Sequence, residues 1–259
     1  MANVVVQEGK YIYCFIEATA ARSFGPLGIG GRGDELFTVC LDGLAAVVSN
    51  SPIIEYPLSR ENLLTHERAI EEVMKEYPVL PVSFCTITED EEKIKKILAK
   101  EHDRFKDLLN KIRDKNELAV KAMFKEETIY KDILEKYEDI RMLKKVLLSE
   151  PAAKTFHKRI EIGKKIETAL QKEKDIYKKE IINALSPLAE DIKISNAYGE
   201  MMIINAAFLV AKDKEAEFDN QVQQLDAQYG DKIKFKYTGT LPPFNFVDLV
   251  IETKKDKNG

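Results

Sequence analysis

Residues 126–148, EETIYKDILEKYEDIRMLKKVLL, place Tyr130, Ile133, Tyr137, Ile140, Leu143 and Leu147 at near-heptad intervals among charged neighbours. Apolar residues recurring in that way share one face of an α-helix. A second run opens after Pro151, where Phe156, Ile160, Gly163, Ile166, Leu170, Tyr177, Ile181 and Leu185 repeat at similar spacing amid Lys and Glu. Only Ser149, Glu150 and Pro151 separate the two runs, so the spacing predicts a long antiparallel, coiled-coil-like helical hairpin over 126–186. Gly163 is expected to allow close approach at its seam, and the dense charge to form a solvated helical face.

On the N-terminal side the pattern changes. Residues 10–16 (KYIYCFI) read as a buried strand, and residues 23–34 (SFGPLGIGGRGD) as a loop whose five glycines favour positive φ. Strands are predicted over 36–41 and 44–49, joined by Asp42-Gly43, a dipeptide suited to a type I′ turn. Ser59 caps a helix to about Tyr77, with Leu63, Ile70, Val73 and Tyr77 on one face, ended by Pro78. Residues 79–86 return as a strand. Thr88 and Glu91 match a capping box for a helix carrying Ile94, Ile97, Leu98, Phe105, Leu108, Leu109 and Ile112. Residues 117–124 (ELAVKAMF) then read as the last strand of an N-terminal α/β, sandwich-like domain over 1–125, with helices against one face of its sheet.

On the C-terminal side, strands are predicted over 192–197, 201–211 and 232–237. Between the last two lies a helix marked by Phe218, Val222, Leu225 and Tyr229, with Gly230 as a left-handed C-cap. Preceded by the hairpin, these suggest a ferredoxin-like domain over 187–253, closed by residues 239–250 and followed by a polar tail at 254–259. The class is α+β, with domains 1–125 and 126–259.

Composition narrows the function. The 259 residues contain 40 Lys and Arg against 44 Asp and Glu, a formal charge of −4, which disfavours nucleic acid as a partner. No apolar run reaches membrane-spanning length; the longest, 201–211, is interrupted by Asn205. That argues against a lipid membrane partner. The opening MANVVVQEGK lacks the basic start and apolar core of a secretory signal, and three cysteines cannot all pair within a chain. A cytoplasmic protein is expected.

Chemistry-bearing motifs are few. The Gly-rich loop ends in Arg32-Gly33-Asp34 and leads into a strand, where a Walker loop ends in Gly-Lys-Ser/Thr and opens a helix. A phosphate- or nucleotide-binding enzyme or regulator using residues 25–33 with Arg32 is therefore the alternative reading, and a structural or partner-binding loop the main one. Leu27 and Ile29, apolar between glycines, are expected to dock on this protein or another. Cys14, Cys40, Cys85 and His66 lack the close ligand pairs of structural zinc sites, so the thiols read as small buried hydrophobes. Glu89, Asp90, Glu91 and Glu92 suit a helix's first turn. No nucleophile motif is present, and the expectation is no enzyme, no catalytic residue, no cofactor and no metal.

Several blocks in order resemble the gas vesicle accessory proteins of the GvpL/GvpF family. They are Tyr11-Ile12-Tyr13 with Gly28-Ile29-Gly30-Gly31; Gly43-Leu44-Ala45-Ala46-Val47-Val48-Ser49; His66 followed by Leu80-Pro81-Val82-Ser83-Phe84; and residues 117–121 (ELAVK). The C-terminal half adds Asn205-Ala206-Ala207-Phe208-Leu209-Val210, and Tyr237-Thr238-Gly239 leading to Pro242-Pro243-Phe244-Asn245-Phe246-Val247. The chain departs at Ser83 and Cys85, where Arg and Gly are more usual, and at Thr240 and Leu241, where Pro and Trp are. The resemblance implies an N-terminal α/β domain and a ferredoxin-like domain with a helical pair. It also implies a non-enzymatic role in vesicle nucleation and assembly, through the hydrophobic shell protein GvpA and other accessory proteins. Candidate contacts are Leu27, Ile29 and Arg32 on the loop, and Leu241, Phe244 and Phe246 around the Pro-Pro turn. The alternative for the second group is that it caps the C-terminal core.

Overall fold

The computed structural model describes residues 7–151, 154–249 and 251. Seven α-helices and two antiparallel sheets lie among them. They divide into two compact units, one running to Glu117 and resuming at Thr240, the other spanning Leu118–Gly239. The expected division near residue 125 is therefore displaced, and the chain passes between the units twice. The expected polar tail at 254–259 lies outside the described residues.

In the first unit β1 (Glu8–Glu17) is central. The sheet order is β2-β3-β4-β1-β5, with β2 (Ser23–Gly25), β3 (Leu36–Leu41), β4 (Leu44–Pro52) and β5 (Leu80–Pro81). The short β6 (Ile87–Thr88) also pairs with β1. The β3–β4 reversal uses Asp42 at φ 49° and Gly43 at φ 84°, the two left-handed residues that a type I′ turn requires. Helices cover both faces, which corrects the expectation of a single covered face. Tyr11, Tyr13, Cys14 and Ile16 pack with α1 (Arg60–Met74) through Ala69, Ile70 and Val73. Ile12 and Phe15 pack on the other face with α2 (Glu91–Lys100) and α3 (His102–Ile112) through Ile94, Leu98, Phe105 and Leu109. A bulge between Ile12 and Cys14 shifts the alternation so that Tyr13 and Cys14 point the same way. The signal for this was present: consecutive apolar residues in KYIYCFI and LAAVV mark strands buried on both sides.

Local capping explains the helix starts. The Ser59 hydroxyl accepts the Asn62 N–H at 3.2 Å. At α2 the cap is Asp90, which accepts the Lys93 N–H at 2.8 Å, two residues later than the expected Thr88 box. A break at Glu101 makes two helices of the one expected to run from the Thr88 box through Ile112.

The second unit carries the sheet order β10-β7-β9-β8. Its strands are β7 (Lys115–Phe124), β8 (Asp191–Ile194), β9 (Met202–Ala211) and β10 (Ile233–Leu241). Thus ELAVKAMF, expected to finish the first sheet, lies inside the second. Against the sheet pack α4 (Glu126–Lys136), α5 (Glu138–Ser149), α6 (Phe156–Leu185) and α7 (Glu215–Tyr229). The first arm of the expected hairpin is thus two helices, broken at Tyr137, where ψ is 97°. That break is tied to α6: Tyr137 Oη donates to buried Glu173 at 2.8 Å, and Lys136 pairs with the same carboxylate at 2.7 Å. The seam also departs from expectation. Ile162, Ile166, Ala169 and Leu170 pack inward, while Phe156 and Ile160 are 65% and 46% exposed and a Cβ on Gly163 would meet nothing within 4 Å. Gly230 is right-handed at φ −58°, not left-handed; glycine is needed there because a Cβ would stand 2.4 Å from the Asp226 carbonyl oxygen.

Candidate functional site

The first unit holds a buried polar network behind an open apolar groove. His66, placed inward by α1, has Nε2 3.0 Å from the Val82 carbonyl oxygen and Nδ1 3.1 Å from Tyr11 Oη. A carbonyl only accepts, so Nε2 carries the proton and Nδ1 accepts from the Tyr11 hydroxyl. That hydroxyl in turn accepts the Cys85 N–H at 2.8 Å. Next along β1, Tyr13 Oη accepts the Ile29 N–H at 2.7 Å and lies 2.9 Å from Ser49 Oγ, while Ser51 Oγ meets Tyr56 Oη at 2.9 Å. Burial pushes the His66 pKa down to about 4, Tyr13 up to about 12 and Tyr11 further up. All three are neutral at pH 7. The network is closed to solvent, with His66 only 4% exposed; its evident work is to fix the Gly-rich loop and the 83–86 turn on the sheet.

In front of it lies a groove of about 850 Å³, and Ile54, Tyr56, Leu58, Phe84, Cys85 and Ile87 form its apolar lining. Glu89 and Lys93, paired at 2.5 Å, stand at its rim. Leu58 is 78% and Ile54 42% exposed. Cys85 sits at φ +65°, a conformation costly for a side-chain-bearing residue and easy for glycine. His66 stands between Phe84 and Phe244, with ring centroids 5.8 and 6.4 Å away, which brings the Pro-Pro turn to the same network.

The sequence candidates separate accordingly. Ile29 is wholly buried and Leu27 half-buried against the Tyr13 cluster, so the loop docks inward and Ile29 offers no free surface. Arg32 is exposed but paired, with Glu8 at 2.9 Å and Asp34 at 3.0 Å; the Glu8 carboxylate holds its pKa above the ordinary value. With the Ile29 N–H on Tyr13 and the Gly28 N–H on the Asp34 carbonyl at 2.8 Å, donors that the phosphate reading needs are engaged internally. Leu241 is half-buried, Phe246 is buried and Phe244 is 40% exposed. Val247 and Leu249 enter the first unit's core, so this segment closes the N-terminal unit and not, as expected, the C-terminal one. Sequence reasoning missed Ile54, Leu58 and Phe84. The available signal was PIIEYPL at 52–58, an apolar run held in a loop by two prolines. Among the described residues no three His, Cys, Asp or Glu side chains assemble as a metal site, and no helix is long and apolar enough to cross a membrane.

Comparison with known proteins agrees with this architecture. Gas vesicle protein F of Dolichospermum flosaquae is 30% identical over 198 residues, covering 75% of this chain and 80% of that protein. Gas vesicle protein F1 of Halobacterium salinarum is 24% identical, covering 97% and 99%. The crystal structure of GvpF from Anabaena sp. PCC7120 superposes with a TM-score of 0.80 at 23% identity, covering 95% of this chain and all of that one. The GvpF structure from Microcystis aeruginosa gives 0.77 at 22% identity, covering 93% and 99%. The family model described as gas vesicle synthesis protein GvpL/GvpF matches residues 9–248, and the chain belongs to that family.

Proposed function

We propose that this protein is a non-enzymatic accessory factor of gas vesicle assembly that binds the shell protein GvpA, together with other accessory proteins, and supports vesicle nucleation. The observation that carries the reading is the open apolar groove edged by Ile54 and Leu58. A shell that excludes water needs subunits with a large apolar face, and such faces aggregate until covered. A chain of net charge −4 with an open apolar groove is suited to cover them and stay dissolved. Phe244 extends the apolar surface beside His66, and the same contacts would keep the protein on the finished vesicle as a minor component. Its place is then the cytoplasm, at the vesicle. For the second unit, the succession strand, helices, strand, strand, helix, strand and the order β10-β7-β9-β8 support a ferredoxin-like reading with the α5–α6 pair as an extension.

The test is co-expression with GvpA. The wild type should keep GvpA in the supernatant after centrifugation, and Ile54→Asp/Leu58→Asp, still folded by circular dichroism, should lose most of it to the pellet. Equal retention by the variant would remove the groove as the contact.

A further inference from the structure

The unpartnered face of α6 lies far in sequence from the groove and has a different chemistry. Phe156, Ile160 and Gly163 follow one another at spacings of four and three, the seam spacing of packed helices. The first two are 65% and 46% exposed, and beside Gly163 the surface is open. A glycine there costs helix stability, about 1 kcal/mol relative to alanine, and no close contact among the described residues requires it. What it provides is a notch next to two large apolar side chains, where a second helix can approach closely.

Charge states which helix. Residues 138–165 carry eight Lys and Arg against four Asp and Glu, a net +4 in a chain of −4, so the remainder carries −8. Some of these bases are used: Arg141 pairs with Glu138 at 3.1 Å, Lys158 with Glu150 at 2.7 Å and Lys165 with Asp139 at 2.6 Å. Lys144, Lys145, Lys154 and Lys164 make no ion pair among the described residues. Opposite charge at the rim steers encounter and selects the partner, while the apolar residues supply the holding energy. We propose that the Phe156–Ile160–Gly163 face docks an acidic amphipathic helix of a partner protein. A nucleic acid would leave the apolar stripe unused, and a flat lipid surface would not use the notch.

The probe is a synthetic three-heptad peptide with Leu at a and d and Glu elsewhere, labelled for fluorescence anisotropy and titrated with the full chain. Saturable binding that weakens as salt is raised is expected. Phe156→Asp/Ile160→Asp, which alters only exposed side chains, should bind about tenfold more weakly or worse, as hot-spot loss does. Gly163→Leu, which favours the helix but fills the notch, should also weaken binding; it keeps the test valid should the double variant misfold. The idea is overturned if the folded wild type ignores the peptide, or binds equally well a version with Lys in place of Glu. It is equally overturned if sedimentation shows a homodimer that Phe156→Asp/Ile160→Asp dissolves, since a second copy then covers the face. Flotation with phosphatidylserine vesicles dependent on Phe156 would assign the face to lipid and overturn it too. None of these readouts involves GvpA, so they stand or fall apart from the groove.

Discussion

Above about pH 6.5 the His66 ring is neutral in both the folded and the unfolded chain, and its protonation has no effect on stability. Below that the unfolded chain takes up a proton at the ordinary histidine pKa of 6.5, while burial holds the folded value at about 4. The contribution is therefore complete above pH 6.5 and is lost progressively as pH falls towards 4, where the difference amounts to about 3 kcal/mol. Charging the ring in place would also put a second N–H against the Tyr11 hydroxyl, which must then turn its own proton away from Nδ1 while still accepting from Cys85. Urea unfolding of wild type and His66→Gln at pH 7, 5.5 and 4.5 measures this. The wild type should lose stability relative to its own pH 7 value faster than the variant does, because carboxylates common to both cancel in the comparison. Parallel pH profiles would show that His66 does not titrate across the transition.

The segment after β10 shows the same dependence on a single buried group, now at the level of an element. Glu117 is 2% exposed, and it accepts the Asn245 N–H at 2.9 Å and the Asn245 side-chain amide at 2.5 Å. Desolvation raises its pKa, and the two Asn245 donors work against that rise. Glu117→Ala leaves the Asn245 amide without its acceptor and should cost about 1–3 kcal/mol. Hydrogen exchange across residues 242–249 should accelerate, while residues 202–211 of β9 stay protected; unchanged exchange in 242–249 would show that the contact does not hold the segment. Legibility follows the range of the interactions. The β3–β4 hairpin is readable from Asp42-Gly43 because its backbone requirement is local, and the apolar run of β1 announces a core strand. Whether ELAVKAMF joins the first sheet or the second depends on partners elsewhere in the chain, and its own letters are the same in either. Ile29 likewise reads as a loop tip among glycines, and only the distant Tyr13 hydroxyl and the α1 face turn it inward. The groove was silent because PIIEYPL has no period to detect.

Connectivity sets a prediction for the whole chain. Leu118–Gly239 is inserted between two stretches that share one core, since Val247 and Leu249 pack with Ile12, Phe15, Leu98 and Phe105. A chain of residues 1–117 alone would expose the cavity those two side chains fill. Burying a Val or Leu is worth about 1.5–3 kcal/mol each, and a domain's whole stability is only about 5–15 kcal/mol. Losing both, together with the Asn245 donors to Glu117, removes a large share of it. Because β7 and β10 are paired neighbours and a Cβ on Gly239 would lie 3.6 Å from the Leu118 side chain, the two ends left by excising the insert lie close enough for a short Gly-Ser linker. Residues 1–117 joined by such a linker to residues 240–259 should therefore unfold in one cooperative urea transition, whereas 1–117 alone should show a broad transition and bind a hydrophobic dye. Equal cooperativity and equal midpoints for the two would mean that the C-terminal segment contributes no folding energy, and that the first unit is complete at Glu117.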